Sequence, residues 1–176
     1  MKKTAWVTVL LFLGTFLWSG AAHAAFFIFV ASDSGTIGEY TTSGATVNAA
    51  LITGLVHPWG IALSGGYLFV ANQGNGLIEN GTIGLYTTSG ATVNAAWITG
   101  LSSPRDIALP GSNLFVANYE AGTIGEYTTS GGTVNAALIT GLVHPTGIAI
   151  VPIPGALLLF APGLLGLAAM RRRFKK

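Results

Sequence analysis

The residues of this 176-residue chain that could do chemistry stand at repeated turn positions. His57 and His144 each precede a proline in equivalent copies of a repeat, and the middle copy has Ser103 there. With Asp106 or Glu120, two such histidines could hold a divalent metal if the repeats surround one axis. The alternative is that both are turn residues copied by duplication. We favour this alternative because the predicted domain has no third histidine, and we predict no metal and no cofactor.

A second candidate is a pair of carboxylates. Glu39 and Glu126 occupy the same position in two copies of a strand sequence. Two carboxyl groups about 5–9 Å apart can share acid and base roles. The middle copy has Leu85 at this position, which indicates a partly exposed strand face instead. The chain also has no cysteine and no Gly-x-Ser-x-Gly turn, so thiol and nucleophile-elbow chemistry lack their residues. We therefore predict no catalytic residues.

Three residues are candidates for binding rather than catalysis. Trp59 could offer its ring to a sugar or an aromatic ligand. Trp97, in the next copy, is expected to pack between repeats. Arg105 and Asp106 form the one adjacent pair of opposite charges, and we expect them on a surface turn. Trp59, Arg105 and Asp106 are therefore the candidate binding residues.

These candidates are set in a chain built by repetition. The segment Gly35–Val56 returns as Gly122–Val143 with one change, and as Gly81–Ser102 with three. The copies begin 46 and 41 residues apart. A period of this size indicates an architecture of stacked repeats.

Each repeat reads as four short strands joined by tight turns rich in glycine, serine and asparagine. The predicted strands of the first repeat are Phe26–Ala31, Thr36–Thr42, Val47–Thr53 and Gly60–Leu63. Four antiparallel strands in about 41 residues are typical of a propeller blade, and a β-solenoid is the weaker alternative. We predict an all-β domain at residues 25–150, made of three four-stranded antiparallel propeller-type blades, a partial β-propeller. Five extra residues in the middle copy, within Gln73–Asn80, predict a surface loop.

The sequence after the predicted signal peptide begins at the second strand of a repeat, so the first blade lacks its first strand. Its missing first strand has a counterpart at the far end, Gly147–Ile150, which we predict to complete it. Three blades are fewer than the four to eight of a closed ring. Two hypotheses follow: two chains form a six-bladed ring, or the domain is an open arc.

Both ends of the chain read as addressing segments. Residues 1–24 combine a basic start, an apolar core and a small-residue exit, which predicts a signal peptide cleaved after Ala24. Residues 155–170 carry no charge and precede a basic tail, which predicts a transmembrane helix within a C-terminal signal at 151–176. Between them Arg105 is the only base against six acids, a net charge of −5. Such a domain would repel phosphate, so we predict no nucleic-acid partner.

Two stretches resemble known families. The segments Pro58–Asn75 and Pro104–Ile124 resemble NHL and YVTN-type β-propeller repeats, in which Pro-x-Gly-Ile-Ala and a glycine turn precede an apolar strand ending in Ala-Asn or Ala-Asp. Pro58–Ala62 and Pro145–Ala149 match the Pro-x-Gly-Ile-Ala pattern, whereas Pro104–Ala108 has Asp106 in place of the glycine. The C-terminal order of Val-Pro-x-Pro, apolar span and arginine cluster resembles the PEP-CTERM family of sorting signals. The residues that carry the second resemblance are Val151, Pro152, Ile153, Pro154, Arg171, Arg172 and Arg173. Ile153 stands where that motif usually has glutamate.

The PEP-CTERM resemblance implies an address and partners. It implies processing by signal peptidase and an exosortase-type enzyme at the inner membrane of a Gram-negative bacterium, and a destination in the envelope or extracellular matrix, often with exopolysaccharide. We expect a non-enzymatic binding or scaffolding module. The alternatives are a metal-dependent enzyme of the propeller lyase or lactonase type, and a truncated repeat relic.

Overall fold

The computed structural model describes residues 26–76 and 79–152, and within them it contains β-strands and no helix. The predicted signal peptide with its Ala24 cleavage site, the C-terminal helix, Ile153, Pro154 and the three arginines lie outside the described residues. The strands are β1 Phe27–Ser32, β2 Thr36–Thr41, β3 Thr46–Ile52, β4 Pro58–Ser64, β5 Tyr67–Asn72, β6 Gly81–Thr87, β7 Thr92–Leu101, β8 Pro104–Ala108, β9 Asn113–Asn118, β10 Thr123–Thr128 and β11 Thr133–Ile139. Within these ranges no helical segment has the length and apolar character that a membrane crossing needs.

The strands form three antiparallel sheets, one for each repeat. Sheet 1 is β1-β2-β3, sheet 2 is β4-β5-β6-β7 and sheet 3 is β8-β9-β10-β11. Neighbours in each sheet are consecutive in the chain, because short turns join them. The all-β prediction and the three-repeat prediction are confirmed, and the extra residues of the middle copy lie in the connection between β5 and β6.

The prediction of four strands in every repeat is wrong for sheet 1, which has three. Residues 147–150 form no strand. They follow sheet 3 instead, where the backbone N–H of Ile148 donates a hydrogen bond of 2.7 Å to the Asp106 carboxylate. The segment is tied to the end of the array opposite sheet 1, so within one chain it does not complete that sheet.

The repeated Gly-x-Tyr sequence has a local packing cause. Tyr86 lies two residues after Gly84, so both face the same side of β6. The ring of Tyr86 folds back over the glycine, and a Cβ on Gly84 would lie 2.6 Å from it. The same arrangement recurs at Gly38 and at Gly125, where the added Cβ would lie 2.7 Å from the ring. The tyrosine covers backbone that the missing side chain leaves bare.

The Thr-Thr-Ser-Gly turns also share one geometry. In sheet 2 the hydroxyl of Thr87 accepts a hydrogen bond of 3.0 Å from the N–H of Ala91 and lies 2.8 Å from the Ser89 hydroxyl. Gly90 has a φ of +90°, a conformation that glycine adopts without steric cost. Side-chain bonds of this kind close the hairpin and set its register.

Two apolar cores hold the sheets together, one between each neighbouring pair. The core between sheets 1 and 2 contains Ile37, Ile52, Leu68, Val70 and Tyr86. The core between sheets 2 and 3 contains Ala62, Phe69, Ala71, Ile83, Leu85, Ile98, Leu101, Ile107, Leu114, Val116 and Tyr127. In the first core β2 and β3 of sheet 1 pack against β5 of sheet 2. In the second core β6 and β7 of sheet 2 pack against β9 of sheet 3, so the same kind of interface is built twice.

One polar pair recurs inside these cores. The buried phenol of Tyr86 hydrogen bonds the Asn72 side chain, and Tyr127 hydrogen bonds Asn118 in the same way. Burial raises the pKa of both tyrosines above the usual value of 10.0, and the asparagine hydrogen bond opposes that rise. The tyrosines therefore stay neutral, as a buried phenol must. The repeated Ala-Asn ending of the second strand supplies this partner.

Candidate binding surface

Several positions that differ between repeats, among them Trp59, Arg105 and Tyr119, lie together on one rim of the array. They lie at the start of the first strand of a sheet or just after the end of its second strand, and antiparallel pairing brings those two ends together. In sheet 2 the pairing of Pro58 with Asn72 sets this end of the sheet, and in sheet 3 the pairing of Pro104 with Asn118 does so. We call this end of the sheets the variable rim.

Four side chains form a stacked row along the variable rim. The guanidinium carbon of Arg105 lies 4.7 Å from the ring centre of Trp59 and 3.6 Å from that of Tyr119. Tyr119 in turn stacks on the imidazole of His144, with ring centres 4.4 Å apart and planes 19° apart. The stacked row, Trp59–Arg105–Tyr119–His144, runs from sheet 2 across sheet 3 to the segment that follows it.

Arg105 is held by aromatic faces rather than by an acid. The planar guanidinium is suited to such stacking, and each contact contributes about 0.5–2 kcal/mol depending on how much water it excludes. Within residues 26–76 and 79–152 the one ion pair joins His57 to Asp33, and Arg105 is not part of it. The single base of an acidic domain therefore serves to brace two rings.

Trp59 is an exposed ring of the row. Its side chain is 47% exposed, and its indole N–H donates a hydrogen bond of 2.7 Å to the Gln73 side chain. Arg105 and Gln73 thus fix the orientation of a ring that solvent still reaches. A pocket of about 260 Å³ lies beside it, lined by Ala31, Asp33, Pro58 and Trp59.

The Asp33 carboxylate in the lining of this pocket is held by an imidazole. His57 Nδ1 lies 2.7 Å from an oxygen of Asp33, and the two side chains are 51% and 82% exposed. An ion pair this exposed contributes at most about 1 kcal/mol. Its importance is positional, because it fixes an acceptor group in the lining of the pocket that Trp59 also lines.

The turn positions before the prolines share an uncommon backbone conformation. His57, Ser103 and His144 have φ values of 48°, 53° and 49°. Residues other than glycine adopt this left-handed region infrequently, and histidine is enriched among those that do. The interpretation of the two histidines as repeated turn residues is consistent with this geometry.

The structure separates the two predicted histidine candidates by their contacts. His57 is bound to Asp33, while His144 stacks on Tyr119. Within the described ranges no group of three or more histidine and acidic side chains is arranged to hold a metal ion. Glu39 and Glu126 lie in sheets 1 and 3, with sheet 2 between them, so they do not form a pair.

The expectation for Arg105 and Asp106 is wrong in its location. Both residues lie in strand β8, half-buried, and not on a surface turn. Arg105 points into the stacked row, while Asp106 binds the backbone N–H groups of Ile107 and Ile148 at 2.9 and 2.7 Å. Asp106 therefore anchors the chain beyond sheet 3. Trp97 packs between sheets 2 and 3 as expected, and its indole donates to the Thr129 carbonyl.

Sequence reasoning missed three members of the rim. Asp33, Gln73 and Tyr119 each follow the second strand of their repeat, at equivalent positions. A signal for them was present, since three different side chains stand at one position of an otherwise faithful repeat. Comparing the copies position by position would have found them.

A second pocket, of about 360 Å³, lies at the variable-rim end of sheet 2, beside the connection between β5 and β6. Its polar lining includes Asn72, Thr82 and Tyr86. The equivalent residues of sheet 3 are Asn118, Thr123 and Tyr127, with the same hydrogen bonds. Because the same three side chains recur in sheet 3 with the same hydrogen bonds, we assign them to packing.

Comparisons with known proteins bear on the fold alone. No family model and no curated protein sequence matches this chain. Among solved structures the chain is similar to the computationally designed Ika8 protein, with 14% identity and a TM-score of 0.53 over 72% of this chain and 37% of that one. It also aligns with the computationally designed Ika4 protein, with 13% identity and a TM-score of 0.42 over 58% of this chain and 59% of that one. The chain thus spans well under half of the first of these structures.

Proposed function

We propose that the three sheets are blades of a partial β-propeller. Each is an antiparallel meander, and consecutive sheets pack face to face through one repeated interface. First strands of neighbouring sheets run side by side, since a Cβ on Gly60 of β4 would lie 2.7 Å from the Asp106 Cα of β8. Such an inner row of first strands is what blades around a common axis require.

We further propose that the chain is an exported, non-enzymatic module of the bacterial envelope or matrix that binds polysaccharide on its variable rim. The observation that carries this proposal is Trp59, an exposed ring braced by Arg105 and Gln73 beside a pocket that contains Asp33. A sugar ring can stack on such an indole while a neighbouring carboxylate accepts hydrogen bonds from the hydroxyl groups of the sugar. The export and anchoring of the chain rest on its two terminal segments.

The charge of the domain favours a neutral sugar over an acidic one. Residues 25–154 carry six acids and one base, and the base is already engaged by two rings. Asp33 is 82% exposed at the edge of the pocket and would repel a uronate. A neutral chain meets no such cost.

Trp59→Ala is the variant that tests this function. We expect it to weaken binding of a neutral bacterial polysaccharide by about tenfold or more, a change of ~1.4 kcal/mol. Trp59→Phe, which keeps a ring, should retain most of the affinity. Binding is measured by affinity electrophoresis in gels that contain either a neutral or a uronate-rich polysaccharide.

A matched control lies on the same sheet. Tyr67 is 45% exposed and begins β5, at the end of that strand opposite Gln73. Tyr67→Ala removes an exposed ring away from the variable rim and should leave the mobility unchanged. Equal losses for Trp59→Ala and Tyr67→Ala, or no retardation of the parent protein, would reject the proposed site.

A further inference from the structure

Sheet 3 ends the array with a face built to be covered. Ile139 in β11 is 48% exposed, whereas its counterparts Ile52 and Ile98 are each 4% exposed. Those two are covered by the sheet that follows them. Leu138 and Leu142 are also exposed, whereas their counterparts Leu51 and Leu55 pack against the core between sheets 1 and 2. The sequence of this face is that of an internal interface, but no sheet follows it among residues 26–76 and 79–152.

Sheet 1 ends the array with the complementary face. Ile28 and Val30 in β1 are 45% and 44% exposed. Their counterparts in β5, Leu68 and Val70, are 0% exposed because they pack against the preceding sheet. Within the described residues, the two end sheets therefore expose the two halves of the interface that joins neighbouring sheets.

One strand position and one spare segment complete this correspondence. β1 pairs with β2 on one side, and no described residue pairs with its other edge. In sheet 2 the equivalent edge of β5 pairs with the first strand, β4, so we expect a first strand at this edge of β1 as well. Residues 147–150 repeat the sequence of a first strand but lie beyond sheet 3, held by the hydrogen bond from Ile148 to Asp106.

We propose that two copies of this chain associate head to tail, each covering sheet 3 with the other's sheet 1. Residues 147–150 of each copy supply the missing first strand of the other's sheet 1. The pairing of β4 with β5 fixes the register, because Ile61 pairs with Val70 and Leu63 with Leu68. By repeat equivalence, Ile148 pairs with the second copy's Val30, and Ile150 with the second copy's Ile28.

The number of copies follows from the geometry of closure. Contacts between unlike faces give rings when the rotation closes and open fibres when it does not. Propellers close with four to eight blades. Two copies give six sheets and three copies give nine, so two is the number that falls within the range. This inference goes beyond polysaccharide binding and needs only the packing of the described sheets.

Gly147 marks a position where we expect close contact with the second copy. A Cβ on Gly60 would meet the Asp106 Cα at 2.7 Å and the Arg105 carbonyl oxygen at 2.9 Å, in the next first strand. Gly147 is the equivalent residue of the spare segment. Within one chain, a Cβ there meets nothing closer than the Asp106 carboxylate at 3.9 Å. A side chain at Gly147 is therefore tolerated by the single chain and excluded only once the second copy's β4 lies beside it.

Paired cysteines test the register, and the absence of native cysteine leaves no background. In the detergent-solubilised full chain, Ile28→Cys with Ile150→Cys is expected to give a disulfide-linked dimer on mild oxidation. Phe29→Cys with Ile150→Cys places the two thiols on opposite faces and should crosslink at least about fivefold less, since strand faces alternate residue by residue. A disulfide within one chain, or a ladder of higher multimers, would overturn the two-copy ring.

Gly147→Val tests the same contact without a crosslink. Light scattering, corrected for detergent, should report two chains for the parent protein and one for the variant, with an unchanged β-sheet circular dichroism spectrum. Gly132→Val, which adds the same side chain to an exposed hairpin, should stay dimeric. A monomeric parent protein, or a Gly147→Val variant with the parent's mass, would overturn the proposal.

Discussion

Gly60→Ala is expected to lower the free energy of unfolding by about 2–3 kcal/mol, the upper part of the range for overpacking a tight interface. The added methyl would lie 2.7 Å from the Cα of Asp106 and 2.9 Å from the Arg105 carbonyl oxygen. Both neighbours are backbone atoms of a paired strand, so neither can rotate away. The strands β4 and β8 must separate, and the core between sheets 2 and 3 loosens with them.

The repeat supplies a matched control for this prediction. Gly132 stands where the other two copies have Ala45 and Ala91. A Cβ there meets only the hydroxyl of Thr128, at 3.1 Å. Gly132→Ala should therefore be neutral or stabilise by up to about 1 kcal/mol, because alanine restricts the unfolded chain more than glycine does. Urea denaturation followed by circular dichroism measures both variants, and equal effects would refute the close approach of β4 and β8.

Ile98→Ala is the second large effect, with an expected loss of about 3 kcal/mol. Ile98 is 4% exposed in the core between sheets 2 and 3, and deleting a buried isoleucine side chain leaves a cavity that the core fills only in part. Ile139→Ala is the same change at the equivalent residue, which is 48% exposed. At a dilution where the chains are single, it should cost less than about 1 kcal/mol.

Protein concentration distinguishes the two isoleucines further. If the second copy covers sheet 3, the cost of Ile139→Ala rises as concentration drives association, while the cost of Ile98→Ala stays nearly constant. Denaturation midpoints measured across a hundredfold range of concentration show this difference. A cost for Ile98→Ala as small as that for Ile139→Ala at every concentration would contradict the assignment of the core.

The repeat made most of the fold predictable. Strand positions such as those of β5 and β9 follow from apolar runs between turn residues, and a motif that recurs three times tests its own interpretation. The segment 147–150 was misplaced for a physical reason. Its sequence indicates that it can form a first strand, but not whether it can reach the free edge of β1 in the same chain.

The candidate site was predictable only in part. Trp59 and Arg105 could be singled out as residues that differ between copies, yet their contact depends on the spacing between β4 and β8. Tyr119 also contacts Arg105, because it directly follows β9, the strand that pairs with β8 in sheet 3. No local sequence pattern indicates which strand ends lie close together. Asp106 was assigned to a turn because its charge suggested exposure. Its carboxylate instead binds two backbone N–H groups, which compensate a half-buried acid.

The identical interfaces between sheets 1 and 2 and between sheets 2 and 3 also bear on how such a chain can change in evolution. Loss or duplication of one repeat of the gene, joined at equivalent positions, would preserve the apolar contacts that both interfaces share. The cores would shrink or grow by one unit with no new junction to optimise. Selection on stability alone would therefore constrain the number of repeats only weakly, and we expect the stronger constraint to come from what the whole array encloses or binds.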